Sequence, residues 1–218
     1  MKKLIFPALL LGVISFYSFL PVHNNTIVSG TMELRFRQSG NVTDTIPGNW
    51  SIDKPHTQLK FTVSHLVISD VDGNFKIVEG GMQSTKADFS DAKIGFIVDA
   101  NSIFTDNDMR DNHLKSDDFL NTAKYPQIKF ESTSFTPLGD NKYKLVGNLT
   151  IRDVTKSVTF DVKYGGTVVM WGKTHAGFKA TTKLNRFDYN LKWDKTTEAG
   201  GLIAGKEVDI TVNVDFKK

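Results

Sequence analysis

From Trp50 onward, apolar and polar residues alternate along one segment of the chain after another. A period of two predicts β-strands with one buried and one exposed face. The last segment shows the pattern most clearly, with apolar residues at Val208, Ile210, Val212, Val214 and Phe216. Comparable alternation runs through residues 59–65, 75–79, 94–98, 128–130, 145–151, 158–164 and 176–184.

Turn residues separate these predicted strands. Gly, Asn and Asp adopt the backbone conformations of tight turns more readily than other residues. We therefore expect the chain to turn at Asp72-Gly73, Gly139-Asp140-Asn141, Arg152-Asp153 and Gly165-Gly166. The turn at Asp72-Gly73 would start a strand that carries Phe75, Ile77 and Glu79 on one face.

One stretch, residues 102–126, interrupts the strand pattern. Thr105 followed by Asp108 resembles a capping box, and Asp111 adds negative charge near the positive end of the predicted helix. Ser116 is placed to start a second short turn. The sequence therefore predicts one short helical insertion among eight or nine strands.

Long strands with one apolar face each fit either a sandwich or a closed barrel. Because most of them follow one another directly, an all-β, antiparallel, eight-stranded up-and-down barrel is favoured. Barrels of this size can hold one small ligand. An outer-membrane barrel would place its apolar face toward lipid. The helical insertion, the large aromatic residues and the lack of a Tyr/Trp girdle argue against that alternative.

The first twenty residues predict export. Lys2 and Lys3 precede an apolar run that ends at Leu20, as in a secretory signal peptide, although an uncleaved anchor has a similar pattern. We expect the protein to be periplasmic or secreted. Residues 21–47 then form a linker, in which one alternating patch predicts either an extra strand or an ordered piece of tether: Met32, Leu34 and Phe36.

The amino-acid composition and charge exclude cysteine-based sites and give no reason to expect a nucleic-acid partner. The chain has no Cys, which excludes disulfides, thiolate metal sites and a cysteine nucleophile. The formal charge is +3, and loss of Lys2 and Lys3 with the signal would leave it near neutral. Nothing in this charge suggests a nucleic-acid partner.

The ordered motifs of residues 48–218 resemble the YceI-like family. The resemblance starts in "NWSIDKPHTQLKFTVSHLVISDVDGNFK", with Trp50, Ile52, Asp53, His56-Thr57, His65-Leu66, Gly73 and Phe75. It continues in "RDNHLKSDDFLNTAKYPQIKF" and in "GNLTIRDVTKSVTF". One departure is visible, because the family usually reads Arg-x-Asp-Phe-Gly where this chain has Arg186, Asp188, Tyr189 and Asn190. Since Asn tolerates a positive φ, we expect the turn to be kept.

The resemblance implies a lipocalin-like barrel in the periplasm. It also implies a long amphiphilic ligand, such as a polyisoprenoid, an isoprenoid quinone or a fatty amide. The ligand class therefore comes from the family, whereas the barrel is also predicted by the strand pattern.

The candidate ligand-binding residues are those on the apolar strand faces. We expect these to line the barrel interior: Phe61, Val63, Phe75, Phe96, Phe130, Leu149, Phe160, Phe178, Ile210 and Val212. The alternative is a dry core in which the same side chains pack against one another. Burial of a prenyl chain contributes roughly 0.8 kcal/mol per CH₂, so an open bore needs no strong polar contact to hold one.

Arg110 and His113 are the candidates for contact with a polar head group. Asp111 next to them would either pair with Arg110 or brace a neighbouring loop. The acids Asp106, Asp108 and Asp111 do not match a calcium loop, which needs Gly where Asp111 stands. Helix capping accounts for them better.

The histidines predict no metal site. His23, His56, His65, His113 and His175 show no metal-ligand spacing. His65 lies on an apolar strand face, where a buried neutral imidazole with a hydrogen-bond partner is the usual arrangement. We also expect no cofactor.

The sequence thus predicts an exported protein that holds a long-chain isoprenoid-type lipid for carriage or storage. We do not expect an enzyme, because the chain has no G-x-S-x-G motif, phosphate loop or dinucleotide fingerprint. Two alternatives stay open: a stress-related structural protein with a filled core, and an enzyme acting on a lipid or quinone. The sequence sets no oligomeric state, and a dimer and transient membrane contact both stay open.

Overall fold

The computed structural model describes residues 49–76 and 78–218. The predicted signal peptide at 1–20, the linker at 21–47 and Ile77 lie outside the described residues. The strands are β1 (Asn49–Ile52), β2 (Gln58–His65), β3 (Ser69–Phe75), β4 (Val78–Gln83), β5 (Lys93–Asp99), β6 (Ile103–Phe104), β7 (Gln127–Gly139), β8 (Lys142–Ile151), β9 (Val154–Met170), β10 (Lys173–Asn185) and β11 (Ala204–Lys217). Within the described part of the chain, the α-helix is α1 (Asp108–Lys115).

The strands form a closed, antiparallel, eight-stranded up-and-down barrel. β1 closes the ring by pairing with both β4 and β11. Three positions in the ring are each shared by two strands that lie end to end. β1 and β2 both pair with β11. β4 then pairs with β1 and β3 with β2, and in the next position β5 pairs with β4 and β6 with β3. The barrel predicted from the strand pattern is confirmed.

The alternation of the sequence fixes which side chains point inward. Leu145 and Leu149 of β8 are buried, as are Val158, Phe160 and Val162 of β9, whereas the residues between them on β9 are exposed. The inward side chains form one main core cluster along the barrel. A smaller cluster at the α1 end contains Phe61, Ile103 and Leu120.

Two of the predicted turns are confirmed and two are wrong. The chain turns at Asp140-Asn141 and at Arg152-Asp153. Asp72-Gly73, however, lies inside β3, and the turn comes earlier, at residues 66–68. Gly73 is placed opposite Phe61, where a β-carbon would lie 2.2 Å from Phe61 Cζ. This glycine therefore makes room for an aromatic ring and does not reverse the chain.

Gly165-Gly166 also lies within a strand. β9 continues to Met170, and the register with β10 shifts next to Gly177, opposite Gly166. Gly166 has φ +117°, a conformation that favours glycine. The pair forms a β-bulge, and the chain reverses at Trp171-Gly172.

The predicted strand face Phe75, Ile77, Glu79 is wrong as well. β3 ends at Phe75 and β4 starts at Val78, so the alternation restarts with Val78 buried and Glu79 exposed. Glu79 pairs with Lys54 across 2.9 Å on the outer surface. The break between β3 and β4 changes which residues point inward, and the alternation of the sequence does not show where such a break lies.

The N-cap of the helix lies two residues later than predicted, and the helix starts at Asp108. Asn107 is the N-cap, and its side-chain oxygen accepts a hydrogen bond from the backbone N of Arg110 at 2.9 Å. Thr105, the predicted cap, is buried before the helix. The turn after Arg186 is kept as expected, because Asn190 adopts the left-handed conformation with φ 61°.

Candidate functional site

The barrel interior contains a cavity of ≈ 350 Å³. This volume lies within the range of pockets that bind small molecules. Its walls are mostly the inward apolar side chains of the strands, and residues of the helix and of irregular segments complete them at one end. This cavity, which we also call the bore, argues against the alternative of a core filled by side chains.

All ten of the predicted interior residues line the cavity: Phe61, Val63, Phe75, Phe96, Phe130, Leu149, Phe160, Phe178, Ile210 and Val212. They lie on eight different strands, so the periodicity placed them on one surface without any contact information. Their contact with a ligand stays a prediction.

The cavity is sealed at the end where β1 and β4 pair. Phe89, from the β4–β5 loop, packs edge-on against Trp50 and Phe178, with ring centroids 5.8 and 5.5 Å apart. Tyr143 fastens this loop by donating a hydrogen bond from its hydroxyl to the Asp88 carbonyl at 2.9 Å. We call this the closed end.

The opposite end is covered by α1, the turn over residues 117–120 and the segment over residues 190–203. His113 lines the cavity here and its side chain is 43% exposed, so the cavity wall meets solvent at this place. We call this the open end. The polar residues of the cavity wall gather toward it: Ser64, His65, Arg110, His113, Lys129, Arg186, Tyr189 and Trp193.

Arg110 and Asp111 both bind Thr105, just before the helix. The Arg110 guanidinium donates from Nε to Thr105 Oγ1 and from Nη2 to the Thr105 carbonyl, each at 2.7 Å. Asp111 Oδ1 accepts from the Thr105 backbone N at 2.9 Å and from Thr105 Oγ1 at 2.6 Å. Asp111 therefore braces the neighbouring loop, which is one of the two roles considered for it.

His113 is held at the open end by an acid and two rings. Its Nε2 lies 2.8 Å from Asp118 Oδ2. Phe119 and Trp193 pack edge-on against the imidazole, at 5.1 and 5.7 Å between ring centroids. An imidazole thus lies beside the apolar bore, with its ring orientation set by its neighbours.

His65 differs from the expectation that it is buried. It is half-buried and lines the cavity near the β2–β3 turn. The strand pattern placed it on the inner face correctly. It could not show that the barrel is open at that level.

Arg186 is a site residue that the sequence argument did not select. Its side chain is buried, and its three nitrogens donate to the carbonyls of Gly205 at 2.8 Å, Leu191 at 2.9 Å and Ala204 at 3.0 Å. Burial lowers the pKa of its guanidinium, against an opposing effect of the Asp194 charge. Arg186 ties the 190–203 segment to β11 and so shapes the rim of the open end. Its place in the quoted Arg-x-Asp motif was the available signal.

Leu191 and Trp193 were missed for a different reason. Both line the cavity from an irregular segment, where no period of two exists to mark an inward position. Leu114, Phe119 and Leu120 were missed as lining residues because the helical insertion was considered mainly for its charges.

Comparison with known proteins agrees with this geometry. The YceI-like domain model matches residues 50–216. The UPF0312 protein SAB2563 of Staphylococcus aureus (strain bovine RF122 / ET3-1) is 36% identical over 170 residues, which is 77% of this chain and 96% of that protein.

Two solved structures have the same fold. The Campylobacter jejuni YCEI protein is 28% identical, with a TM-score of 0.60 over 71% of this chain and 89% of its own. A polyisoprenoid binding domain from Saccharophagus degradans is 15% identical, with a TM-score of 0.56 over 78% of this chain and 98% of its own, and it shows the fold alone. On its sequence and its barrel, this chain belongs to the YceI-like domain family.

Proposed function

We propose that this protein binds a long-chain isoprenoid-type lipid, a polyisoprenoid or an isoprenoid quinone, inside its barrel and carries or stores it after export. The observation that carries this proposal is the apolar cavity, sealed at the closed end and reaching the surface at the open end. The printed description of the Saccharophagus degradans domain as polyisoprenoid binding supports the ligand class.

The lipid tail would lie along the phenylalanine-lined bore. Each buried CH₂ contributes roughly 0.8 kcal/mol, so a chain of several prenyl units is held without any polar anchor. The head group would stay at the open end beside Arg110 and His113. The position of both residues in the cavity wall supports this orientation.

Binding is favoured over catalysis by the character of the cavity wall. A catalytic site needs a nucleophile with a base, or a pair of acids, that converge on one reacting atom. The charged residues at the open end instead use their polar atoms to hold loops, as Arg110 does with Thr105 and Arg186 with three carbonyls. Lipid turnover that is lost in Arg110→Ala or His113→Ala while affinity is kept would favour the enzyme.

Transient contact with a membrane belongs to the same proposal. Val67, Ile68 and Met109 are 76–84% exposed. Val67 and Ile68 lie in the turn after His65, and Met109 precedes Arg110, so both groups lie beside residues that line the open end. Contiguous exposed apolar patches mark interaction sites, whereas single exposed apolar residues are ordinary, and Val67 and Ile68 are adjacent in the chain. A lipid could then pass between bilayer and bore with little exposure to water.

Lipid analysis of the purified, natively folded full chain tests the proposal. We expect mass spectrometry of the solvent extract to show a polyprenyl compound, or added polyprenyl alcohol to bind when the extract is empty. Reproducible absence of lipid together with no binding of added compound would overturn the proposal.

A pair of neighbouring variants locates the lipid. Ala180 lines the bore, whereas Lys179 is exposed on the outer face. Ala180→Phe should therefore reduce the lipid recovered per folded protein, and Lys179→Phe should leave it unchanged. Circular dichroism establishes that both variants are folded. Equal lipid content in the two would place the ligand outside the bore.

A further inference from the structure

Four side chains from three distant parts of the sequence meet on the outer face of the barrel near its closed end. Asp53 follows β1, His56 lies in the 3-10 turn Lys54–His56, and His175 and Asp215 are on β10 and β11. Their neighbours Ile52, Ala176 and Phe216 are buried in the core, so the four face away from the lipid bore.

The distances within this group are short. Asp53 Oδ2 lies 2.8 Å from His56 Nδ1, and His175 Nδ1 lies 3.1 Å from Asp215 Oδ1. One ligand atom from each of Asp53, His56 and Asp215 lies within 4.8 Å of the other two. Metal–ligand bonds of about 2.0–2.2 Å place two ligands of the same ion up to roughly 4 Å apart. The cluster is close to the size of a coordination shell.

The backbone holds the two carboxylates in place. The backbone N of Asp53 donates to the Asp215 carbonyl at 2.6 Å, which fixes the end of β1 against β11. His56 is the adjustable member, because its side chain is 70% exposed. It also leaves the group open to ions from solvent.

The donor set suits a divalent transition-metal ion. One imidazole and two carboxylates are common ligands of Zn²⁺ and its neighbours in the periodic table. His175 supplies the outer contact such sites use, a ring nitrogen that orients a ligating carboxylate. Solvent completes the shell on the exposed side.

The charge around the cluster both favours and opposes a cation. Two carboxylates against the Lys217 ammonium leave a net negative charge when the imidazoles are neutral. Lys217 Nζ lies 2.8 Å from Asp53 Oδ1 and thus occupies one oxygen of this carboxylate. Asp53 Oδ2, on the side of His56, is the oxygen left for an ion.

We propose that Asp53, His56 and Asp215 form a binding site for a divalent transition-metal ion such as Zn²⁺, with His175 positioning Asp215. The bound ion links the start of the barrel to its last strand, outside the lipid cavity. Sequence spacing predicted no metal site because Asp215 joins Asp53 and His56 only through the closure of the barrel. The proposal is independent of the lipid ligand.

Titration of the metal-free full chain with Zn²⁺ tests the site. Binding is measured by calorimetry or by competition with a coloured chelator. We expect one ion per chain at this site, and at least tenfold weaker binding in His56→Ala and in Asp215→Asn. Zn²⁺ should raise the melting temperature of the wild type and not that of His56→Ala. The lipid content should be the same in the wild type, His56→Ala and Asp215→Asn.

His113→Ala is the matched control. His113 also lies 2.8 Å from an aspartate, Asp118, but at the opposite end of the barrel and outside the proposed ligand group. The His113→Ala variant should bind Zn²⁺ as tightly as the wild type does. Lys217→Met should bind more tightly, because it frees an Asp53 oxygen. No binding by the wild type, or unchanged binding in both His56→Ala and Asp215→Asn, would overturn the proposal.

Discussion

Gly73 and Phe61 are paired across β2 and β3, and the phenyl ring occupies the space that a side chain at Gly73 would need. A β-carbon there would lie 2.2 Å from Phe61 Cζ and 2.8 Å from Thr105 Cγ2. The ring that lines the cavity thus depends on a missing side chain on the next strand.

Gly73→Ala should therefore lower the free energy of unfolding by about 1–3 kcal/mol, the usual cost of overpacking a core. Gly177→Ala is the control, because nothing lies within 4 Å of its β-carbon position and alanine suits a strand better than glycine. Urea unfolding measures both. Phe61→Val in the Gly73→Ala background should restore part of the loss, and failure to do so would show that the clash is not with Phe61.

Asp111→Ala should destabilise the protein by about 1–3 kcal/mol, because it leaves the buried backbone N and hydroxyl of Thr105 without their acceptor. Asp108→Ala serves as control, since Asp108 is an exposed acid in the first turn of the same helix. Hydrogen exchange over residues 103–116 should be faster in Asp111→Ala alone. Equal exchange in the two variants would mean that Asp111 does not hold the helix to its loop.

Tyr189→Phe should stabilise the protein by about 1 kcal/mol, because it removes a buried polar group that gains nothing from folding. The Tyr189 hydroxyl is buried without a hydrogen-bond partner among the described residues, and burial raises the pKa of Tyr189 to about 12. Tyr143→Phe is the opposite case, since it loses the hydrogen bond to Asp88 and should destabilise by a similar amount. Thermal unfolding that moves both variants in the same direction would contradict this prediction.

Acid should weaken the β4–β5 loop through Asp91. Burial alone would raise the pKa of Asp91, but hydrogen bonds from Ser84, Thr85 and Lys86 outweigh it and hold the pKa below its usual value. Because the pKa is lower in the folded state, the carboxylate contributes stability above its unfolded pKa of about 3.9 and loses it as pH falls below that value.

Asp91→Asn should accordingly destabilise the protein at pH 7 by more than it does at pH 2. Urea unfolding at the two pH values measures the difference, and Asp140→Asn in the exposed β7–β8 turn is the control. A destabilisation by Asp91→Asn that does not change with pH would mean that the charge of Asp91 is not what holds the loop.

Replacing Val67, Ile68 and Met109 together by Ser should abolish binding to lipid vesicles, if the open end contacts membranes. The matched control is Val168→Ser with Val169→Ser, since these residues are also exposed but lie on the β9–β10 hairpin at the closed end. Co-sedimentation with vesicles measures both. Loss of binding only in the control would transfer the membrane contact to the hairpin.

Among the described residues, no helix is long and apolar enough to span a bilayer.

The sequence by itself determined the barrel and its inner face. Alternation of apolar and polar residues is a local consequence of strand geometry, so it identified Phe160, Phe178 and Val212 as interior without any knowledge of their partners. The Asn190 turn was also predictable, because a positive φ depends on the residue that adopts it.

Only the tertiary structure decided what each exception to that pattern means. Gly73 gives no sign in the sequence of whether it turns the chain or makes room for Phe61, because the ring belongs to another strand. Arg186 and Trp193 reach the cavity from segments without a period. His56 and Asp215 are separated by most of the chain, and they meet because closing a barrel brings its first and last strands together.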